Sequence, residues 1–137
     1  MLEKECIQAR GFRNVGEGGQ VVGFQVAFRS MYYRGVWLSQ LRPATVIVDG
    51  ETFSGDQITW TIGGRTFAQA ELAQHADIHW PLLEPAVLTV RKPGGLTQGF
   101  HDVEVQYHYS SSYMPPAMDE LMVTFMGGPT KRRLTLV

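Results

Sequence analysis

The chain has 137 residues, 44% of them hydrophobic and 18% charged, with 15 Gly, 7 Pro and one Cys. A single domain of that length buries roughly two thirds of the surface its unfolded chain exposes, so it needs no covalent staple. Twelve Lys and Arg against thirteen Asp and Glu leave a net charge of -1, which excludes an overall electrostatic drive toward nucleic acid or an anionic membrane.

The chain opens MLEKECIQAR, charged where a signal peptide carries its apolar core, and no apolar run approaches the length that spans a bilayer. The expected address is therefore a reducing cytoplasm. Cys6 has no intramolecular partner, which excludes an internal disulfide and any CxxC metal or redox site, and in a strand candidate it reads as a buried, inert thiol.

Residues 7–12 form the first strand candidate. Gly16-Glu17-Gly18-Gly19 follows; it lacks the Lys and the strand-to-helix context of a phosphate loop and reads as a hairpin connection. Val22, Phe24, Val26 and Phe28 then alternate with smaller or polar residues, which sends the large apolar groups to one face of an extended segment. The run TVIV at 45–48 ends in Asp49-Gly50, and ITWTI at 58–62 ends in Gly63-Gly64. Both dipeptides supply the positive φ angles that two-residue hairpins require. The segment FAQAELAQHA is the one helix expected, with Thr66 and Gln69 at the spacing of a capping box. Strand candidates continue at 86–91, broken by Pro93-Gly94-Gly95, and at Val103, Val105, Tyr107 and Tyr109, which alternate with Asp102, Glu104, Gln106 and His108. Further candidates lie at 121–125 and 133–137. About eight strands and one helix in a connection predict an all-β fold, an antiparallel two-sheet β-sandwich in a single domain over 1–137.

Two stretches do not read as ordinary hydrophilic loops. RSMYYRGVWLSQLRP sets Tyr32, Tyr33 and Trp37 beside Arg29, Arg34 and Arg42, and SSSYMPPAMDELM sets Tyr113, Met114 and Met118 around Pro115-Pro116. Tyr, Trp and Arg are enriched at interface hot spots. Each stretch is either a crossover packed over the end of the sandwich or a surface that docks a partner.

Chemistry-bearing constellations are few. His75 and His79, with Asp77 between them, share a metal-binding face only if a helix runs through both, and Ile78, Trp80 and Pro81 indicate that it has ended. His101 and His108 read as lying on the polar face of one strand candidate, with an odd spacing that sends them to opposite faces unless a bulge intervenes. Ser110, Ser111 and Ser112 end a strand without a GxSxG elbow, and Lys131, Arg132 and Arg133 read as a solvated strand edge. Asp102 and Glu104 stand at i, i+2 on one strand face, as outward charges of ordinary sheets do. The residues point to a binding or structural domain, and a free-standing carbohydrate-binding module remains an alternative because sugars stack on aromatic rings such as Tyr32 and Trp37.

The strings FRSMYYRG, VIVDGE, GRTF, AELA, LTVRKPGGL, HDVEV and SYMP, spread over nearly the whole chain, together resemble the β-subunit family of bacterial C-glycoside deglycosidases. The resemblance implies a β-sandwich that serves as the small subunit of a heteromeric lyase. That lyase cleaves the carbon-carbon bond between a sugar, already oxidised to the 3-ketone by a separate oxidoreductase, and an aromatic aglycone. It further implies a larger partner, a TIM barrel that carries a divalent metal, usually manganese, and the proton-transferring residues. This chain then holds no cofactor and no catalytic residue. Its expected contribution is contact with the partner or the aglycone pocket through Tyr32, Tyr33, Arg34 and Trp37, with Tyr113, Met114 and Pro115 as a second patch.

Overall fold

The computed structural model describes residues 7–29, 36–38, 41, 44–75, 78–80, 84–107 and 128–136. Among these lie eleven strands: β1 (Ile7–Glu17), β2 (Gln20–Phe28), β3 (Val36–Trp37), β4 (Thr45–Val48), β5 (Glu51–Phe53), β6 (Ile58–Ile62), β7 (Arg65–Ala68), β8 (His79–Trp80), β9 (Ala86–Arg91), β10 (Gly99–Tyr107) and β11 (Gly128–Leu136). They form a five-stranded sheet in the order β1-β2-β9-β6-β7, a four-stranded sheet in the order β11-β10-β4-β5, and the short pair β3-β8. Every pairing is antiparallel. The expected all-β sandwich is thus the architecture found. The candidate strand at 121–125 lies outside the described residues.

Alternation fixes which side chains meet between the sheets. Phe24, Val26 and Phe28 of β2, Ile58, Trp60 and Ile62 of β6, and Val103 and Val105 of β10 are all buried, because successive side chains on a strand point to opposite faces. The hairpin turns follow the expected chemistry: Asp49-Gly50 has φ of 51° and 87°, and Gly63-Gly64 has 61° and 79°. Strand β1 runs past the expected 7–12 to Glu17, but with a register shift between Gln8 and Arg13 against β2. This bulge turns Phe12 inward, where its ring meets those of Phe24 and His101 edge-on.

The helix differs from expectation in type, extent and cap. Phe67 and Ala68 belong to β7, and only Gln69–Gln74 coil, as a 3-10 helix closed by the His75 N-H on the Leu72 carbonyl. A short connection between two buried anchors, Phe67 and Leu72, leaves no room for the repeated i to i-4 bonds of an α-helix. The expected Thr66/Gln69 capping box does not form. Thr66 pairs across the hairpin with Thr61, and the Ala68 N-H donates to Glu71 instead.

Gln69 is drawn into the core. Its Oε1 accepts from the Ala44 N-H at 2.6 Å and the Trp60 Nε1-H at 2.8 Å, while its Nε2 donates to the carbonyls of Ala44 at 3.1 Å and Gly55 at 3.2 Å. The lead-in to β4 is thereby fastened to β6 of the opposite sheet. Near this joint the Phe28, Trp60 and Trp80 rings pack edge to face at 5.2 to 6.0 Å. A second fastening joins β11 to β1, where the Arg132 guanidinium donates to the Ile7 carbonyl.

Replacement of Gln69 by Leu strands two buried donors, on Ala44 and Trp60, each at a cost of about 1–3 kcal/mol. Chemical denaturation followed by tryptophan fluorescence is expected to show Gln69→Leu less stable by about 2–5 kcal/mol. A loss under 1 kcal/mol by the same principle would mean that water replaces these bonds.

Candidate functional site

The sandwich has two ends with different chemistry. At the Phe28 end lie Ile7, Phe28 and Ala86 of the five-stranded sheet, in register with one another, and Thr45, Gln106 and Pro129 of the four-stranded sheet. The Gln69 joint and the Arg132 bond to Ile7 hold these two sets together. At the Asp49 end lie the β1-β2 turn, the β4-β5 turn, the 92–98 connection and the start of β10.

Of the expected contact residues only Trp37 falls on a described element. It stands in β3, opposite His79 of β8, and the neighbouring Leu38 N-H donates to the Ile78 carbonyl. Tyr32, Tyr33 and Arg34, and likewise Tyr113, Met114 and Pro115, lie outside the described residues. Their flanks do not. Phe28 and Val36 bound the first stretch, and Tyr107 and Gly128, which pair with each other, bound the second. Because Val36 pairs with Trp80 and Trp80 packs on Phe28, all four flanks belong to the Phe28 end.

His75 ends the 3-10 helix, edge-on to Phe67 at 4.8 Å and 3.9 Å from the Glu71 carboxylate. His79 sits in β8, so no helical face carries both histidines. Among the described residues no three His, Cys, Asp or Glu side chains converge as metal ligands require. No helix of the described residues is long and apolar enough to cross a membrane.

The outer face of the four-stranded sheet carries a groove of about 570 Å3 lined by Ile47, Gly50, Asp102, Glu104, Lys131 and Arg133. Its charges are already matched. Arg133 donates through Nε and Nη2 to both oxygens of Asp102, and Glu104 lies 3.5 Å from Lys131 and accepts from Gln106. The bonds from Arg133 hold the Asp102 carboxyl below its ordinary value. Asp102 and Glu104 share this outer face as expected, and Lys131 and Arg133 are exposed on edge strand β11.

His101 does not lie on the polar face expected of it. It shares the parity of Val103 and Val105, points inward and is 6% exposed. Its Nδ1 lies 2.6 Å from Asp49 Oδ2 and its Nε2 lies 2.6 Å from the Thr97 carbonyl oxygen. Counting back by two from Val103 was the available signal. His108 lies outside the described residues.

With this geometry in place, comparison with known proteins is decisive. The family model for the C-glycoside deglycosidase beta subunit matches residues 2–113. The chain belongs to that family. A C-glycoside deglycosidase beta subunit from Eubacterium cellulosolvens is 48% identical over 120 residues, 87% of this chain and 82% of that protein. One from Arthrobacter globiformis is 32% identical over 89 residues, 65% of this chain and 68% of that protein. A 3'-dehydrocarminate deglycosidase beta subunit from Microbacterium sp. is 31% identical over 96 residues, 69% of this chain and 71% of that protein. Within the beta-subunit match fall Asp49, His101 and the first aromatic stretch, whereas Met114, Pro115 and the β11 half of the charged groove lie beyond it.

Removal of the guanidinium by Arg133→Ala is expected to let the Asp102 carboxyl titrate upward toward its ordinary 3.8, as read by carbon NMR of the carboxyl groups. An unmoved Asp102 midpoint would show that the pair does not persist in solution.

Proposed function

We propose that this chain is the small subunit of a heteromeric C-glycoside deglycosidase, a lyase that splits a 3-oxo sugar from an aromatic aglycone at their carbon-carbon bond. The observation that carries the reading is the family match across residues 2–113. In that reaction the 3-ketone acidifies the neighbouring C2 proton, a base removes it, and protonation of the aromatic carbon lets the aglycone depart. The base, the acid and the divalent metal, manganese in this reading, belong to a larger TIM-barrel subunit.

What this chain supplies is a shaped surface. As one β-sandwich domain it packs against the mouth of the barrel in the cytoplasm, orders the loops there and walls the aglycone pocket, so that substrate is held in position and water is kept out. Tyr32, Tyr33, Arg34 and Trp37 make that contact, with Tyr113, Met114 and Pro115 as a second patch. Support comes from their residue types and from their flanks, which share the Phe28 end.

Two measurements test this. The double variant Tyr33→Ala with Trp37→Ala, checked for folding by circular dichroism, is expected to bind the co-expressed barrel subunit at least about 30-fold more weakly, the consequence of losing about 2 kcal/mol at a hot spot. Undiminished co-purification and turnover would remove the assigned contact. The chain purified alone is expected to leave an aryl 3-oxo-C-glucoside intact and to carry no stoichiometric manganese, zinc or iron. Cleavage by the lone chain would overturn the division of labour.

A further inference from the structure

The ring of His101 is enclosed by acceptors. A peptide carbonyl such as that of Thr97 has no proton to give, and neither has the Asp49 carboxylate at neutral pH. Neutral imidazole carries one N-H and one lone pair, and in either tautomer it would set that lone pair against an oxygen 2.6 Å away. Only the doubly protonated ring satisfies both partners, and such short contacts are those of charge-assisted bonds. The partners belong to different segments: Thr97 to the 92–98 connection, Asp49 to the β4-β5 turn.

We propose that His101 is an imidazolium at neutral pH and serves as a cationic clasp that closes the Asp49 end of the sandwich and opens when it loses a proton at alkaline pH. The surrounding charges suit this role. Asp49 faces the ring directly, and its second oxygen accepts the Asp102 N-H at 2.8 Å, which fixes the carboxylate in place. Asp102 and Arg133 pair with each other on the outer side. Lys92 and Glu51, 3.3 Å apart, tie the same connection to the same turn. From β1 the uncharged Phe12 ring approaches, 6.1 Å away, and the cross-strand neighbour in β11 is Leu134.

Burial pushes the His101 pKa down, but the Thr97 carbonyl and the Asp49 carboxylate outweigh it, and the net direction is up from 6.5. The Asp102 N-H and the His101 ring hold Asp49 below 3.8. A raised histidine contributes its full stability below 6.5 and loses it as pH rises through the folded-state value; a depressed carboxylate contributes above 3.8 and loses it as pH falls through its own. The clasp is therefore closed between these limits and fails first on the alkaline side. The clasp itself rests on the His101 contacts with Asp49 and Thr97 and holds whatever the chain's partner proves to be.

The test is a pH titration of the full chain by nitrogen NMR of the histidine rings, with amide hydrogen exchange. Both ring nitrogens of His101 are expected to carry protons at pH 7, with a midpoint above 6.5. Protection of the Leu96 amide, which donates to Asn14 Oδ1, is expected to fall above that midpoint. The fall, relative to intrinsic exchange, should be about tenfold for each unit by which the folded ring titrates above its free value. Asp49→Asn is expected to lower the midpoint by about one unit or more, which keeps the test open should His101→Phe fail to fold. A bare ring nitrogen at pH 7, or a midpoint indifferent to Asp49→Asn, would each overturn the proposal.

Discussion

One buried carboxamide joins the two sheets, and much of the Phe28 end depends on it. Gln69 satisfies all of its hydrogen-bonding capacity against Ala44, Gly55 and Trp60, so the lead-in to β4 is held against β6 without a stranded polar group. The oriented Trp60 ring supports Phe28 and Trp80. Trp80 in turn lies in β8, whose pairing places β3 and hence the residues that bound the first aromatic stretch. A polar contact inside the core thus reaches the surface through three rings and one strand pair.

The two ends solve the same closure problem by different means. At the Phe28 end the chain relies on aromatic packing around a neutral amide. At the Asp49 end it uses ions: a histidine between a carboxylate and a carbonyl, and Lys92 on Glu51. The outer charges of the four-stranded sheet are likewise paired among themselves. Charges already matched within the chain have little left to offer a ligand. Interface energy tends to come instead from desolvated aromatic and arginine side chains, the residue types of the 29–37 stretch.

Period-two alternation made β2, β6, β9 and β10 legible, since each buries one face against the opposite sheet. The Asp49-Gly50 and Gly63-Gly64 turns were legible because their φ angles demand those residues. What escaped was long-range. Nothing local distinguishes a glutamine that caps a helix from one that bonds a tryptophan nine residues back and a backbone twenty-five residues back. The β1 bulge depends on a partner strand, and the conversion of a helical pattern into a 3-10 turn depends on how soon the chain must re-enter the core. The contact residues were chosen for residue type alone, which no parity rule can orient.

His101 shows how a family string can be misread as chemistry. VIVDGE and HDVEV are separated by about fifty residues, and each offers an ionisable side chain of the kind that acid/base catalysis uses. The fold brings Asp49 and His101 to 2.6 Å, yet both ring nitrogens are occupied by protein acceptors and the ring is almost wholly buried. A general base needs a free lone pair within reach of substrate, and an imidazolium held on both sides has none. The juxtaposition ties the two strings together as parts of one fold, with Asp49 bonded to both the His101 ring and the Asp102 N-H.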